Sequence, residues 1–292
     1  MKQTLILILL LTLGLALNAQ AEALPWSEQA AAGRDAKALE SMAHAHLDQE
    51  TPDPAQAALW LESAAKAGSG SAMAHLAWLH AEGLGVNKDG GQAVYWYEQA
   101  VDAGEVQHTL SLGWAYLRGE LVPRDRAQSE DWFRKGIEAG YPQARIALAS
   151  VLIADAFGGQ APERALEAEA LLQPALEAEP QLVSYFLARL YVEGIGDVER
   201  DMTRGFAYTR MAAELGHTQM QGWLGRMYAD GDGVEADPAE ALKWASLAAA
   251  GGDIFGNRTR LELEATLDDA TIGEGRRRAV EWAQARNHSP GP

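Results

Sequence analysis

The chain has 292 residues, no cysteine, and 41 acidic against 24 basic residues, a net charge of −17. That balance excludes a nucleic-acid binder, whose phosphates need a basic face, and a protein that docks on an anionic membrane. The lack of thiols excludes disulfides, thiolate catalysis, thiolate metal sites and lipid attachment through cysteine.

The first element is apolar. Lys2 precedes a nearly uninterrupted apolar run from Leu5 to Leu17, and Ala19-Gln20-Ala21 fits the small-x-small pattern of signal peptidase. The run is shorter than the ~20 residues of a comfortable membrane span. Residues 1–21 are therefore expected to be a cleaved signal peptide, leaving a soluble periplasmic protein with no stable membrane insertion.

Beyond it the sequence is periodic. Trp60, Trp96 and Trp132 lie 36 residues apart, as do Tyr208 and Trp244. Gly68, Gly104, Gly140, Gly216 and Gly252 each follow one of these aromatics by eight residues. The 76 residues between Trp132 and Tyr208 hold one further, degenerate period, with Leu172 and Pro180 in the aromatic and glycine positions. Each period reads as two helices. The first is LAWLHAEG (76–83), LGWAYLRG (112–119), LARLYVEG (187–194) or LGRMYADG (224–231), apolar at i, i+3 and i+4 and closed by glycine. A short turn follows, near whose end Asp89, Asp125, Asp201 and Asp237 can cap the next helix. The second helix carries the lattice aromatic among small residues, as in AEALKWASLAAAGG. Asp230-Gly231-Asp232-Gly233 hints at a calcium loop, but Val234 and Glu235 stand where an EF-hand needs an oxygen ligand and a glycine, so it reads as a turn.

The pattern LGxMYxxGxGVxxD…A…W…A…G, clearest in 224–252 and 76–104, resembles Sel1-like repeats, relatives of the tetratricopeptide repeat. The resemblance spans 30–252 as about six repeats. It weakens in 32–68, which lacks the glycine turn, and in 141–180, which Pro162 and Pro174 interrupt. It implies an all-α fold, a right-handed α-solenoid of antiparallel helix pairs whose concave side holds protein partners, bent or split at the degenerate repeat. Residues 253–284 read as a C-terminal capping helix pair, broken at Thr271 to Gly275 and ending near Trp282. Arg276 to Arg278 read as solvated rather than as a docking patch, and 285–292 as a disordered tail.

Three columns recur on successive first helices. One holds Trp78, Trp114, Ser150, Arg189 and Arg226; three residues earlier stand His75, Ser111, Ala147, Phe186 and Trp223; four residues later stand Glu82, Arg118, Ala154, Glu193 and Asp230. Offsets of three and four share a helix face. Trp and Arg are the side chains that most often carry interface energy. Trp78, Trp114, Arg189, Arg226, His75, Phe186, Trp223, Arg118 and Glu82 are therefore the candidate partner-binding groove. The other reading is that the tryptophans pack between repeats as core; arginine in the same column argues for an open face.

Chemistry-bearing constellations are missing from the sequence. The histidines are scattered, and His44/His46 and His75/His80 lack the i, i+4 spacing of helical zinc ligands. Nucleophile-elbow and phosphate-loop patterns do not occur. The expectation is an exported, non-catalytic protein–protein interaction scaffold or regulator without cofactor or metal, its partners one or more proteins or peptide segments. The alternative is a cell-wall or polysaccharide-associated enzyme or sugar-binding protein, including β-lactam-related hydrolysis, because tryptophan-lined grooves also stack on sugar rings.

Overall fold

The structure, a computed structural model, describes residues 26–159 and 161–288. The expected signal peptide lies outside the described residues, as do the last four positions. The order is α1 (Glu28–Ala31), α2 (Ala36–Leu47), α3 (Pro54–Lys66), α4 (Gly70–Glu82), α5 (Gly90–Asp102), α6 (His108–Arg118), α7 (Arg126–Glu138), α8 (Pro142–Phe157), α9 (Arg164–Leu172), α10 (Pro180–Glu193), α11 (Met202–Glu214), α12 (Thr218–Asp230), α13 (Pro238–Ala250), α14 (Ile254–Thr266) and α15 (Asp269–His288). A single 3-10 turn, Gln173–Ala175, follows α9 and contains Pro174. No strand occurs among the described residues. The fold is an all-α solenoid of helix pairs, and α2/α3, α4/α5, α10/α11 and α12/α13 pack as such pairs. The chain divides into two compact bodies, one ending at Asp125 and one beginning at Arg126. That boundary falls in the turn of the third repeat, ahead of the degenerate 141–180 segment.

Local sequence sets the boundaries. Asp89, Asp201 and Asp237 each accept a backbone N–H from the first turn of the helix they precede, which satisfies amides that would otherwise be orphaned. In the Gly-x-Gly turn, Gly231 and Gly233 take φ of 75° and 73°. The second glycine has a further role. A Cβ on Gly233 would lie 2.0 Å from the Met202 carbonyl oxygen, and one on Gly85 would lie 2.3 Å from the Pro54 carbonyl carbon. Each turn thus rests on the first residue of the preceding repeat's second helix. The third repeat has Leu121 at the equivalent of that glycine. There the small residue has moved to the other side of the contact: Gly90 opens α5, and a Cβ on it would lie 1.7 Å from the Leu121 carbonyl oxygen.

The lattice aromatics form the core. Trp60 and Trp244 are buried, whereas Trp96, Trp132 and Tyr208 are half-buried. In the N-terminal body Trp60 packs with Leu61, Leu76 and Leu79. In the C-terminal body Trp244 packs with Phe206, Met220, Leu224 and Met227. The degenerate repeat keeps a buried apolar core, with Leu148, Leu152 and Leu172 buried, and carries a cluster of ion pairs beside it. Arg126 on α7 pairs with Glu130 (3.1 Å) and with Asp155 on α8. Arg164 on α9 pairs with the same two carboxylates at 2.7 and 2.9 Å. Next to it, Tyr191 donates its hydroxyl to Glu169, stacks on Tyr208 at 5.8 Å, and lies under the Arg204 guanidinium at 4.0 Å. These contacts tie α9, α10 and α11 where Leu172 replaces the aromatic.

The C-terminal segment differs from expectation in two ways. The helix break falls at Leu267-Asp268, and α15 runs unbroken through 271–275. A Cβ on Gly275 would lie 2.8 Å from the Leu242 Cβ and 3.0 Å from the Ala239 carbonyl oxygen, so this glycine permits close helix packing instead of ending a helix. Second, residues 285–288, expected to be disordered, continue α15. Arg286 on its last turn donates to the carbonyls of Glu214 and Leu215 at 2.6 and 2.5 Å, which anchors this end to α11. Arg276 and Arg277 are exposed, in keeping with the solvated reading, and Arg276 to Arg278 also form ion pairs. Arg276 pairs with Glu264 (2.9 Å), Arg277 with Glu274 (2.7 Å) and Glu281 (2.5 Å), and Arg278 with Glu240 (3.1 Å) and Asp237 (3.3 Å).

Candidate interaction face

In the N-terminal body the face is built on α4 and α6. His75, Trp78 and Glu82 follow one another on α4, and Trp114 and Arg118 do so on α6. Trp78 is half-buried and packs partly on the Trp60 core. Trp114 is half-buried too, with the Arg118 guanidinium 5.3 Å from its ring centroid, within cation–π range. Glu82 and Arg118 are exposed. Both tryptophans are thus neither fully buried nor fully exposed, and Trp78 packs against the Trp60 core.

In the C-terminal body the face is built on α10 and α12. Phe186 and Trp223 are half-buried. Arg189 donates to Glu193 at 2.8 Å, its side chain 26% exposed, and its guanidinium lies 6.0 Å from the Tyr185 ring. Arg226 is 44% exposed and holds Asp230 at 2.5 Å and Glu262 at 3.0 Å. Arg226 is thus exposed and Arg189 half-buried, and both are neutralised by their own neighbours. Glu262 lies 36 residues after Arg226 and so occupies the next position of the same column. Helix α14 therefore continues the layer of first helices. Sequence reasoning missed Glu262 because α14 has none of the repeat's signature residues; the period alone would have found it.

The sequence also treated the histidines as scattered, and the structure brings three of them together. His44 on α2 meets His75 on α4 edge to face, with ring centroids 5.2 Å apart and planes at 88°. His108 at the start of α6 stacks on Tyr97 of α5 at 5.2 Å. The spacings of 31 and 33 residues are close to one repeat, and each histidine sits about a turn earlier in its repeat than the one before. Among the described residues no group of three or more His, Asp or Glu is placed to hold a metal ion. No described helix is long and apolar enough to cross a membrane. Asp230 of the Asp230-Gly231-Asp232-Gly233 turn pairs with Arg226, and Asp237 just beyond it caps α13.

Tandem helix pairs with aromatic cores and glycine turns define a repeat protein of the tetratricopeptide-like class. The Sel1 repeat matches residues 36–69, 70–105, 110–141, 184–217 and 219–253, and the chain belongs to the Sel1 repeat family. The degenerate segment falls in the gap between the third and fourth matches. Among solved structures, a Sel1 repeat protein from Oxalobacter formigenes is 25% identical with a TM-score of 0.59, covering 86% of this chain and 100% of that one. The protective antigen c5321 of uropathogenic Escherichia coli, which displays an SLR fold, is 20% identical with a TM-score of 0.48, covering 90% of this chain and 66% of that one. No curated protein matches the chain. Sel1 repeat proteins are in general scaffolds for protein–protein interaction.

Proposed function

We propose that this protein is an exported, non-catalytic scaffold or regulator that binds a segment of a partner protein on the face of its first helices. The observation behind this reading is the recurrence of partly open aromatic and charged side chains at one position of successive first helices, Trp78 and Trp114 in one body and Arg189 and Arg226 in the other. A rigid face of this kind binds at little ordering cost to itself. Export is supported by the signal-peptide pattern of Lys2 to Ala21, and the periplasm is the compartment proposed for it.

The test is photo-crosslinking in cells from an unnatural residue at 78 or 226, with position 95, the exposed Tyr95 of the second-helix layer, as control. The expected result is one shared crosslinked protein from 78 and 226 and none from 95. Equal crosslinking from 95, or recovery of the protein in the cytoplasmic fraction, would overturn the reading.

A further inference from the structure

Three consecutive first helices each contribute one histidine to a single row in the N-terminal body. The His44 and His75 rings touch edge to face at 5.2 Å. The Nδ1 atoms of His75 and His108 are buried, with no hydrogen-bond partner among the described residues. His75 faces Glu40 and His44 on α2, Glu105 in the turn before α6, and His108 on α6. His108 faces Glu105 and lies against Tyr97. The two carboxylates already have polar partners: Ser69 donates to Glu40, and Gln107 donates to Glu105 at 2.6 Å. Neutral rings suit this packing. Protonation of His75 would put positive charge on a ring that meets His44 edge to face, and that of His108 on a ring stacked against Tyr97, both with a buried Nδ1.

We propose that His75 and His108, with His44 packed against His75, make the N-terminal body a proton-responsive element, which loosens in mild acid while the ion-paired α7–α9 region keeps its packing. Burial first, then the neighbouring His44, pushes the His75 pKa below the ordinary histidine value, against the raising effect of Glu40; burial lowers that of His108 against Glu105. The sign follows from linkage. A histidine held neutral in the fold contributes its full stability above the unfolded value of 6.5 and loses it as pH falls toward the folded value. Burial also lowers the pKa of His217, whose Nδ1 accepts the Met220 N–H at 3.4 Å, so an effect of the same sign belongs at the start of α12.

The inference does not depend on any partner. It is tested on the full chain by amide hydrogen exchange at pH 7.5 and 5.5, corrected for intrinsic rates. Protection in α2, α4 and α6 should fall at pH 5.5, by at most about tenfold for each histidine that stays neutral in the fold, and should hold in α7 to α9. His75→Gln should remove most of the fall. Equal protection at both pH values, or an undiminished fall in His75→Gln, would overturn the proposal. An NMR titration of the wild-type histidine rings supplies a second readout should the variant not fold. His75 and His108 must titrate below 6.5, and titration at or above it would contradict the proposal.

Discussion

The carbonyl oxygen of Leu121 decides what residue 90 can be. With a Cβ there only 1.7 Å away, Gly90→Ala must shift the backbone of α5 or of the turn. It should cost about 2–3 kcal/mol in urea unfolding. Gly91→Ala, whose Cβ meets only the Asp89 carboxylate at 3.3 Å, should be neutral or gain up to about 1 kcal/mol from helix propensity. Equal losses in both would refute the contact. Glu130 is the second decisive residue, its side chain 12% exposed between two guanidinium groups. Burial opposes its ionisation, yet the hydrogen bonds and charges of Arg164 and Arg126 hold its pKa below the usual carboxylate range. Glu130→Gln should cost roughly 2–3 kcal/mol, since it leaves two partly buried cations short of a counter-charge. Its contribution is fully present above the unfolded value of 4.5 and is lost as pH falls through the folded value. The wild-type advantage over the variant should therefore shrink on acidification below about pH 4.5. The arginine partners of Glu130 were not read from the sequence. The register was the missing signal: Glu130 and Arg164 are 34 residues apart and Arg226 and Glu262 are 36 apart, so opposite charges about one repeat apart mark neighbouring helices.

At the scale of elements, the helix pairs were legible, the C-terminal pair included, but the place of the break within that last pair was not. Apolar periodicity, glycine stops and aspartate caps are local signals, and each first and second helix of the strong repeats lies where they place it. The cap misled because Gly273 and Gly275 look like breakers. Whether a glycine ends a helix or lets one approach another is decided by the partner helix, here by Leu242 and Ala239 on α13. Helix α15 covers that surface, with Trp282 set edge to face against Trp244 at 5.5 Å. Deleting residues 269–292 should therefore uncover Trp244. Amide protection in α12 and α13 should drop about tenfold or more, with α2 to α5 unaffected. Unchanged protection in α13 would show that α15 is an ornament rather than a cap.

For the whole molecule, the 36-residue lattice was enough to give the fold class, because a repeat that cannot bury its apolar side alone must stack on its neighbours. The division into two bodies at Asp125 was not legible, since the sequence signal of degeneracy lies further on, in 141–180. The interaction face was legible as columns of residue types, but not in its degree of engagement: only coordinates reveal that Arg189 and Arg226 are already paired and that three histidines form a row. The most direct measurement is the affinity of the crosslinked partner for the full chain and for the Trp78→Ala and Arg226→Ala variants, with helical content checked by circular dichroism. Binding on the first-helix face predicts at least about tenfold weaker affinity for Trp78→Ala with helicity intact, and a smaller loss for Arg226→Ala, whose charge is already shared with Asp230 and Glu262. Unchanged affinity in both folded variants would contradict it.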